Sequence, residues 1–278
     1  MCPILYGASP KPHYLYIEYY SMKKTILITG ATSGFGKAIA ARFAKEGYDV
    51  CITGRREDRL DELKHELEQY GGKVVTLAFD VRDKAQVKDA IDYLKQQVKG
   101  IDILVNNAGL AAGMATIDEG DTDDWDAMID TNLKGLLYVT RQIAPMMREQ
   151  AGGHIINIGS TAGKVVYKNG NVYCATKFAV DALNQAMRID LLPYGIKVTA
   201  IHPGMAETEF SLVRFKGDEE RAKNIYADIN PLQAGDIADI AWYCASLPPH
   251  VCINDLTVTC LTQANSVYSI KEGERVKK

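Results

Sequence analysis

Residues 25–36 read TILITGATSGFG, and residues 37–47 continue as KAIAARFAKEG. Five apolar or β-branched residues, a cluster of three glycines and then a run of good helix formers spell a strand, a tight turn and a helix. Glycine accepts positive φ, and without a Cβ the backbone lets a pyrophosphate approach the helix N-terminus, where free N–H groups and the dipole favour anions. Gly30, Thr32, Ser33, Gly34, Phe35 and Gly36 are therefore candidates for binding a dinucleotide. A glycine cluster by itself also fits a ligand-free turn. Its place after the first strand of a long alternating series favours the nucleotide.

That series runs outward in one pattern. Strands are expected at 25–29, 48–53, 74–79, 101–105, 154–158, 197–201 and 256–259, with amphipathic helices between them. In the segment 58–70, Leu60, Leu63 and Leu67 share one helical face; in 85–98, Val87, Ile91, Leu94 and Val98 do. Alternation of this kind predicts an α/β fold: a Rossmann-type doubly wound parallel sheet in a three-layer αβα sandwich. No repeat or low-complexity linker interrupts it, so residues 23–278 are expected to form a single domain. The departure is the charged stretch from Glu207 to Asn230, which follows the sixth strand and is expected to cover the substrate.

Composition narrows the partners. The chain has 278 residues, 47% hydrophobic and 24% charged, with a formal net charge of -3, so no basic face invites a nucleic acid. Cys2, Cys51, Cys174, Cys244, Cys252 and Cys260 form no Cys-x-x-Cys pair, which argues against a zinc site or a disulfide framework and fits a reducing cytoplasm. The five histidines are scattered, so no metal is expected. No membrane partner is expected either, because no apolar stretch is long enough to span a bilayer.

At the end of the second strand the chain reads TGRR. NAD sites usually place a carboxylate there for the adenosine ribose, whereas Arg55 and Arg56 can hold a 2′-phosphate by charge-assisted hydrogen bonds. NADP is thus the expected cofactor; the alternative is a solvated arginine pair opening the next helix. Tyr173 and Lys177 lie four apart in an expected helix and share a face. A nearby ammonium favours the phenolate, which makes Tyr173 a general acid/base. Ser160 follows the fifth strand at its carboxyl edge, where its hydroxyl can bond a substrate oxygen. Asn132, expected in the preceding helix, can hold a water that links Lys177 to solvent.

From Lys23 to about Ser269 the chain resembles the short-chain dehydrogenase/reductase family. The motifs are Gly30, Gly34 and Gly36; Asn106 to Gly109 (NNAG); Asn132; Ser160; Tyr173 and Lys177; and Pro203-Gly204. The resemblance implies a nicotinamide cofactor, the catalytic set Asn132, Ser160, Tyr173 and Lys177, and a homotetramer. It also implies Asp80 and Val81 beside the adenine, Asn107, Ala108, Gly109, Pro203 and Gly204 along the cofactor, and Thr208 near the nicotinamide. TGATSGFG, TGRRED, NVYCATK and EFSLVRFKGD look like the branch of NADP-dependent serine and 3-hydroxy acid dehydrogenases. The implied reaction is hydride transfer between NADP and a secondary alcohol or ketone, with serine or allo-threonine as examples. Another small carbonyl or a sugar is the alternative substrate.

A non-catalytic nucleotide-binding protein of this fold would have no use for the Tyr, Ser, Lys and Asn set. A sugar-nucleotide epimerase usually carries differently spaced glycines and a longer carboxyl-terminal part. For a hydroxy acid, the substrate carboxylate needs a cation, and Arg214 is the first candidate, since its planar fork can bind a carboxylate through two bonds; Lys216 is the second. Two alternatives stay open: both are solvated loop charges, or Arg214 pairs with an acid such as Glu209.

The Tyr-rich residues 1–22 match no β-α unit, while the family's chains usually start just before the first strand, so they are expected to be an extension with little part in the fold. A chain beginning at Met22 should express as soluble protein with the circular dichroism and turnover of the full chain. Loss of solubility would show that the segment packs on the core or on a neighbouring subunit.

Overall fold

The computed structural model describes residues 23–276. The expectation for residues 1–22 lies outside them. Seven strands form one all-parallel sheet in the order 3-2-1-4-5-6-7: β1 Thr25–Ile28, β2 Asp49–Gly54, β3 Val74–Ala78, β4 Ile103–Asn106, β5 Gly153–Ile158, β6 Ile196–Pro203 and β7 Asp255–Val258. Each expected strand is present, with ends displaced by one or two residues. The helices on the faces are α1 Gly34–Lys45, α2 Glu57–Glu68, α3 Lys84–Gln97, α4 Thr122–Ile129, α5 Leu136–Glu149, α6 Asn171–Leu191, α7 Glu209–Arg214, α8 Glu219–Asn224 and α9 Ala234–Ser246.

Why the sheet is covered on both sides can be read from β1. Successive side chains of a strand point to opposite faces. Ile26 and Ile28 pack into one core with Ile39 and Phe43 of α1, Leu60 and Leu63 of α2 and Ile237 of α9. Leu27, between them, points into the other core with Ile91 and Leu94 of α3, Ile143 of α5 and Val180 of α6. Phe43, Tyr48 and Trp242 close the first core edge-to-face at 5.1–5.8 Å. Burial pushes the Cys51 thiol up to about 12, so this cysteine behaves as a small hydrophobe.

Two elements differ from expectation. Asn132 is not in a regular helix: Asp130–Gly135 forms a π-helical turn between α4 and α5. The Glu207 to Asn230 stretch, to which the sequence reading assigned no helix, carries α7 and α8, each one to two turns long. Such helices are too short to be seen by hydrophobic periodicity. The order in which successive strands are added reverses between β1 and β4, which leaves a crevice beyond the carboxyl ends of these strands, the position where open parallel sheets take ligands.

Candidate active site

A cleft of about 790 Å³ opens at that reversal. The glycine turn forms one wall. Gly30 has φ +67°, and a Cβ on Gly36 would lie 2.4 Å from the Gly30 carbonyl oxygen and 2.5 Å from Asn107 Nδ2. Asn107 Nδ2 donates to the carbonyls of Thr29 (2.8 Å) and Gly30 (3.0 Å), and Thr29 Oγ1 accepts from the backbone N–H groups of Asn107 and Ala108. Asn107 and Ala108 line the cleft, but their polar groups brace the turn. Gly34 faces Thr208, whose Oγ1 caps α7 by accepting from Phe210 N.

Beside the turn, Arg56 donates to Thr32 Oγ1 at 2.8 Å and to Ser33 Oγ at 3.3 Å, and contacts Glu209 at 3.3 Å. Arg59 binds the same Glu209 carboxylate at 2.8 and 3.0 Å. Arg55 stands farther out, 3.9 Å from Asp80. Burial works to raise the Asp80 carboxyl, but hydrogen bonds from Arg82 outweigh it and hold the group below the usual carboxylate range. Asp80 and Val81 line the cleft next to Gly54 and Phe79. Arg59 was not picked out from the sequence, although it lies three residues beyond Arg56, in the first turn of α2. Gln263 was also missed: its Oε1 accepts from Met205 N at 2.7 Å and lies against Gly204, and nothing in its local sequence marks it.

At the other end, α6 presents Tyr173 and Lys177, both buried, beside Ser160 at the end of β5. Lys177 Nζ donates to the carbonyl of Ile158 at 3.0 Å, and burial pulls its pKa down to about 8. Burial raises the Tyr173 phenol above its ordinary value, opposed by a hydrogen bond with Ser160 and by the charge of Arg214. Desolvation is the largest influence on the phenol in the enclosed site, and two cations stand near its ring: Lys177 Nζ at 6.0 Å from the ring centre and the Arg214 guanidinium at 5.7 Å.

The Asn132 Nδ2 donates to Leu110 O (2.8 Å) and Thr176 Oγ1 (3.1 Å), and its Oδ1 accepts from Leu110 N (2.8 Å). The carboxamide thus ties the loop after Gly109 to α6.

Arg214, at the end of α7, reaches into the same end of the cleft. Its Nη2 donates to the Tyr167 hydroxyl at 2.7 Å, and its guanidinium lies 5.4 Å from the Tyr167 ring centre and 5.7 Å from that of Tyr173. Among the described residues it has no carboxylate partner, and its buried Nε has no hydrogen-bond acceptor. The alternative pairing with Glu209 is excluded, since that carboxylate faces Arg56 and Arg59. Lys216 turns outward to Asp121 and Asp124.

A family model described as short chain dehydrogenase matches residues 24–218. NADP-dependent 3-hydroxy acid dehydrogenase YdfG of Salmonella typhi is 47% identical over 246 residues, covering 88% of this chain and 98% of that protein. Sulfoacetaldehyde reductase 2 of Chromohalobacter salexigens is 46% identical over 250 residues, covering 90% and 99%. The closed form of serine dehydrogenase complexed with NADP+ superposes with a TM-score of 0.84 at 44% identity, covering 89% of this chain and 99% of that one.

The close packing at Gly36 generates a test. In Gly36→Ala the new methyl meets backbone atoms of Gly30 and Ala31, which cannot move aside as a side-chain tip can. Overpacking of this kind costs ~1–3 kcal/mol. Thermal unfolding should show a lowered Tm, and an unchanged Tm would mean that the turn is looser than its geometry states.

Proposed function

The chain belongs to the short-chain dehydrogenase family, and from that premise we propose that it is an NADP-dependent oxidoreductase of 3-hydroxy acids. The observation that carries the substrate class is Arg214: a guanidinium in the catalytic end of the cleft with a buried, unpartnered Nε and no acid beside it. A half-buried guanidinium with a buried, unpartnered N–H calls for an anion, and a planar fork suits a carboxylate. A sulfonate is the second reading, favoured by the 46% identity to a protein named sulfoacetaldehyde reductase.

The cradle fits a dinucleotide, because a Cβ on Gly36 would close it. The glycine turn from Gly30 to Gly36, with Asp80 and Val81, Asn107 to Gly109, Pro203, Gly204 and Thr208, would hold NADP along the cleft. Arg56, placed against Thr32 and Ser33, with Arg55 beyond it, would bind the 2′-phosphate. When bound, the nicotinamide donates or accepts the hydride. Ser160 orients the substrate oxygen through its hydroxyl. Tyr173 Oη passes a proton to that oxygen in reduction and takes it back in oxidation. Lys177 holds the end of β5 through Ile158 O, and Asn132 keeps the Leu110 loop against α6.

Helices α7 and α8, within Glu207 to Asn230, cover the substrate. Residues 23–278 act as one domain. We place the protein in the cytoplasm as a homotetramer; the described cysteines are free thiols, and α6 leaves Ile189 and Phe178 exposed for self-association.

Neutralising Arg55 and Arg56 together should raise KM for NADP by about tenfold or more, with a far smaller change for NAD, since a hydrogen bond to a charged group contributes ~1.5–3 kcal/mol. An unchanged ratio of the two efficiencies would reduce the pair to surface charge.

Arg214→Ala separates substrate binding from proton transfer. It should sharply weaken use of serine, 3-hydroxybutyrate or a sulfonated analogue while sparing KM for an uncharged secondary alcohol. The pH profile carries a second sign. Only the deprotonated Tyr173 can accept a proton, and burial raises the phenol above its ordinary value near 10, so alcohol oxidation should still be rising with pH at about pH 10 while carbonyl reduction stays level up to that pH. Removing Arg214 removes a charge that favours the phenolate, which moves the oxidation profile to higher pH. Equal losses on charged and uncharged substrates would indicate a structural role; no activity on any 3-hydroxy acid or sulfonate would reject the substrate class.

A further inference from the structure

His202 lies on β6, immediately before Pro203, with no solvent exposure. Its ring packs on the backbone that leads to Ser160: a Cβ on Gly159 would be 2.4 Å from His202 Nδ1. Nδ1 receives the Ser160 backbone N–H at 3.4 Å and stands 3.2 Å from the Ser160 carbonyl oxygen. Nε2 is 2.9 Å from Asp255 Oδ2 and 3.6 Å from Asp181 Oδ1. Lys164 Nζ sits between these two carboxylates, at 2.8 Å from Asp255 and 3.0 Å from Asp181, and fills the cation position of the cluster.

Four parts of the site meet here. Lys164 follows the Ser160 turn, Asp181 is one helical turn beyond Lys177 on α6, His202 is on β6 and Asp255 opens β7. Yet none of these groups lines the cleft.

We propose that His202 is a positioning residue of the reaction, holding the Ser160 backbone through one imidazole tautomer that Asp255 selects. A hydrogen on Nε2 donates to Asp255 and leaves the Nδ1 lone pair for the Ser160 N–H. The opposite tautomer would exchange the bond from Ser160 N for one from Nδ1 to the Ser160 carbonyl oxygen at 3.2 Å, but it would set two lone pairs against each other at the shorter, charged contact, 2.9 Å from Asp255. Burial lowers the ring's proton affinity, although Asp255 pulls the other way, and this keeps the neutral form. The chain end thus fixed carries the Ser160 hydroxyl, which accepts from Ala162 N at 3.1 Å and bonds Tyr173. Small displacements of a catalytic group can cost large factors in rate, so the ring acts through Ser160 without touching substrate. The proposal rests on the reading that Ser160 orients the substrate oxygen.

The test uses the full chain, with His202→Leu, His202→Asn and Asp255→Asn. His202→Leu removes the acceptor, and kcat on the best substrate should fall about tenfold or more, with the Kd for NADP within about twofold of wild type. His202→Asn returns a carbonyl oxygen near Nδ1 and should recover much of that loss. Asp255 is partly exposed, so Asp255→Asn tests the same chain of contacts where a buried substitution fails to fold; it should lower kcat and leave NADP binding intact. Nitrogen-15 spectra of the ring should show hydrogen on Nε2 alone in the unsubstituted protein and a mixed tautomer in Asp255→Asn. Unchanged kcat in His202→Leu and Asp255→Asn, a parallel fall in NADP affinity, or hydrogen on Nδ1 would each overturn the proposal. If the unsubstituted protein turns over no substrate, the functional reading fails on its own, and the nitrogen spectra still decide the His202 contact.

Discussion

The carbonyl of Gly30 stands where any side chain on Gly36 would collide with it, and much of the molecule is arranged around that close approach. The turn is tight enough that β1 can hand the chain directly to α1. Two of its carbonyls, those of Thr29 and Gly30, are bound by Asn107 from the end of β4. That bond joins the two strands between which the sheet order reverses, so the crevice and the turn that lines it are locked together. Thr29 Oγ1 adds a second tie by accepting from two backbone N–H groups of the β4 loop. A buried backbone group left unpaired costs as much as a lost hydrogen bond, which is why the Asn107 side chain serves the backbone first.

The Tyr173 end of the cleft obeys a related constraint. Tyr173, Lys177 and Asn132 are buried, and burial penalises any charged form. Lys177 therefore holds its proton less tightly than a free lysine, and Tyr173 holds its own more tightly than a free tyrosine. These opposite shifts suit a site in which the phenol gives a proton readily only when a developing oxyanion is present. Arg214 stands over the rings of Tyr167 and Tyr173 and is the cation that counters desolvation there.

Helix α7 joins the two ends. Glu209 at its start binds Arg56 and Arg59 beside the glycine turn, and Arg214 at its end reaches the tyrosines. Six residues thus connect the arginine pair at the turn with the catalytic group. The charges of the segment are not interchangeable: Glu209 and Lys216 are satisfied by surface partners, and Arg214 is not.

The sequence by itself determined the order of the strands, the location of the turn, and the placing of Tyr173 and Lys177 on one helical face, because period-2 and period-3.6 patterns, glycine clusters and a four-residue spacing are local signals. Arg56 was legible for the same reason, lying directly after a strand. What only the tertiary structure decided were the pairings between residues far apart in the chain. Glu209 meets Arg56 across about 150 positions rather than Arg214 five residues away. Asn132 holds Leu110 and Thr176, and His202 reaches Ser160 and Asp255. The sign of the Tyr173 shift belongs to this second group: spacing shows that a lysine is near, but the balance between its charge and desolvation depends on how much water the packed chain excludes.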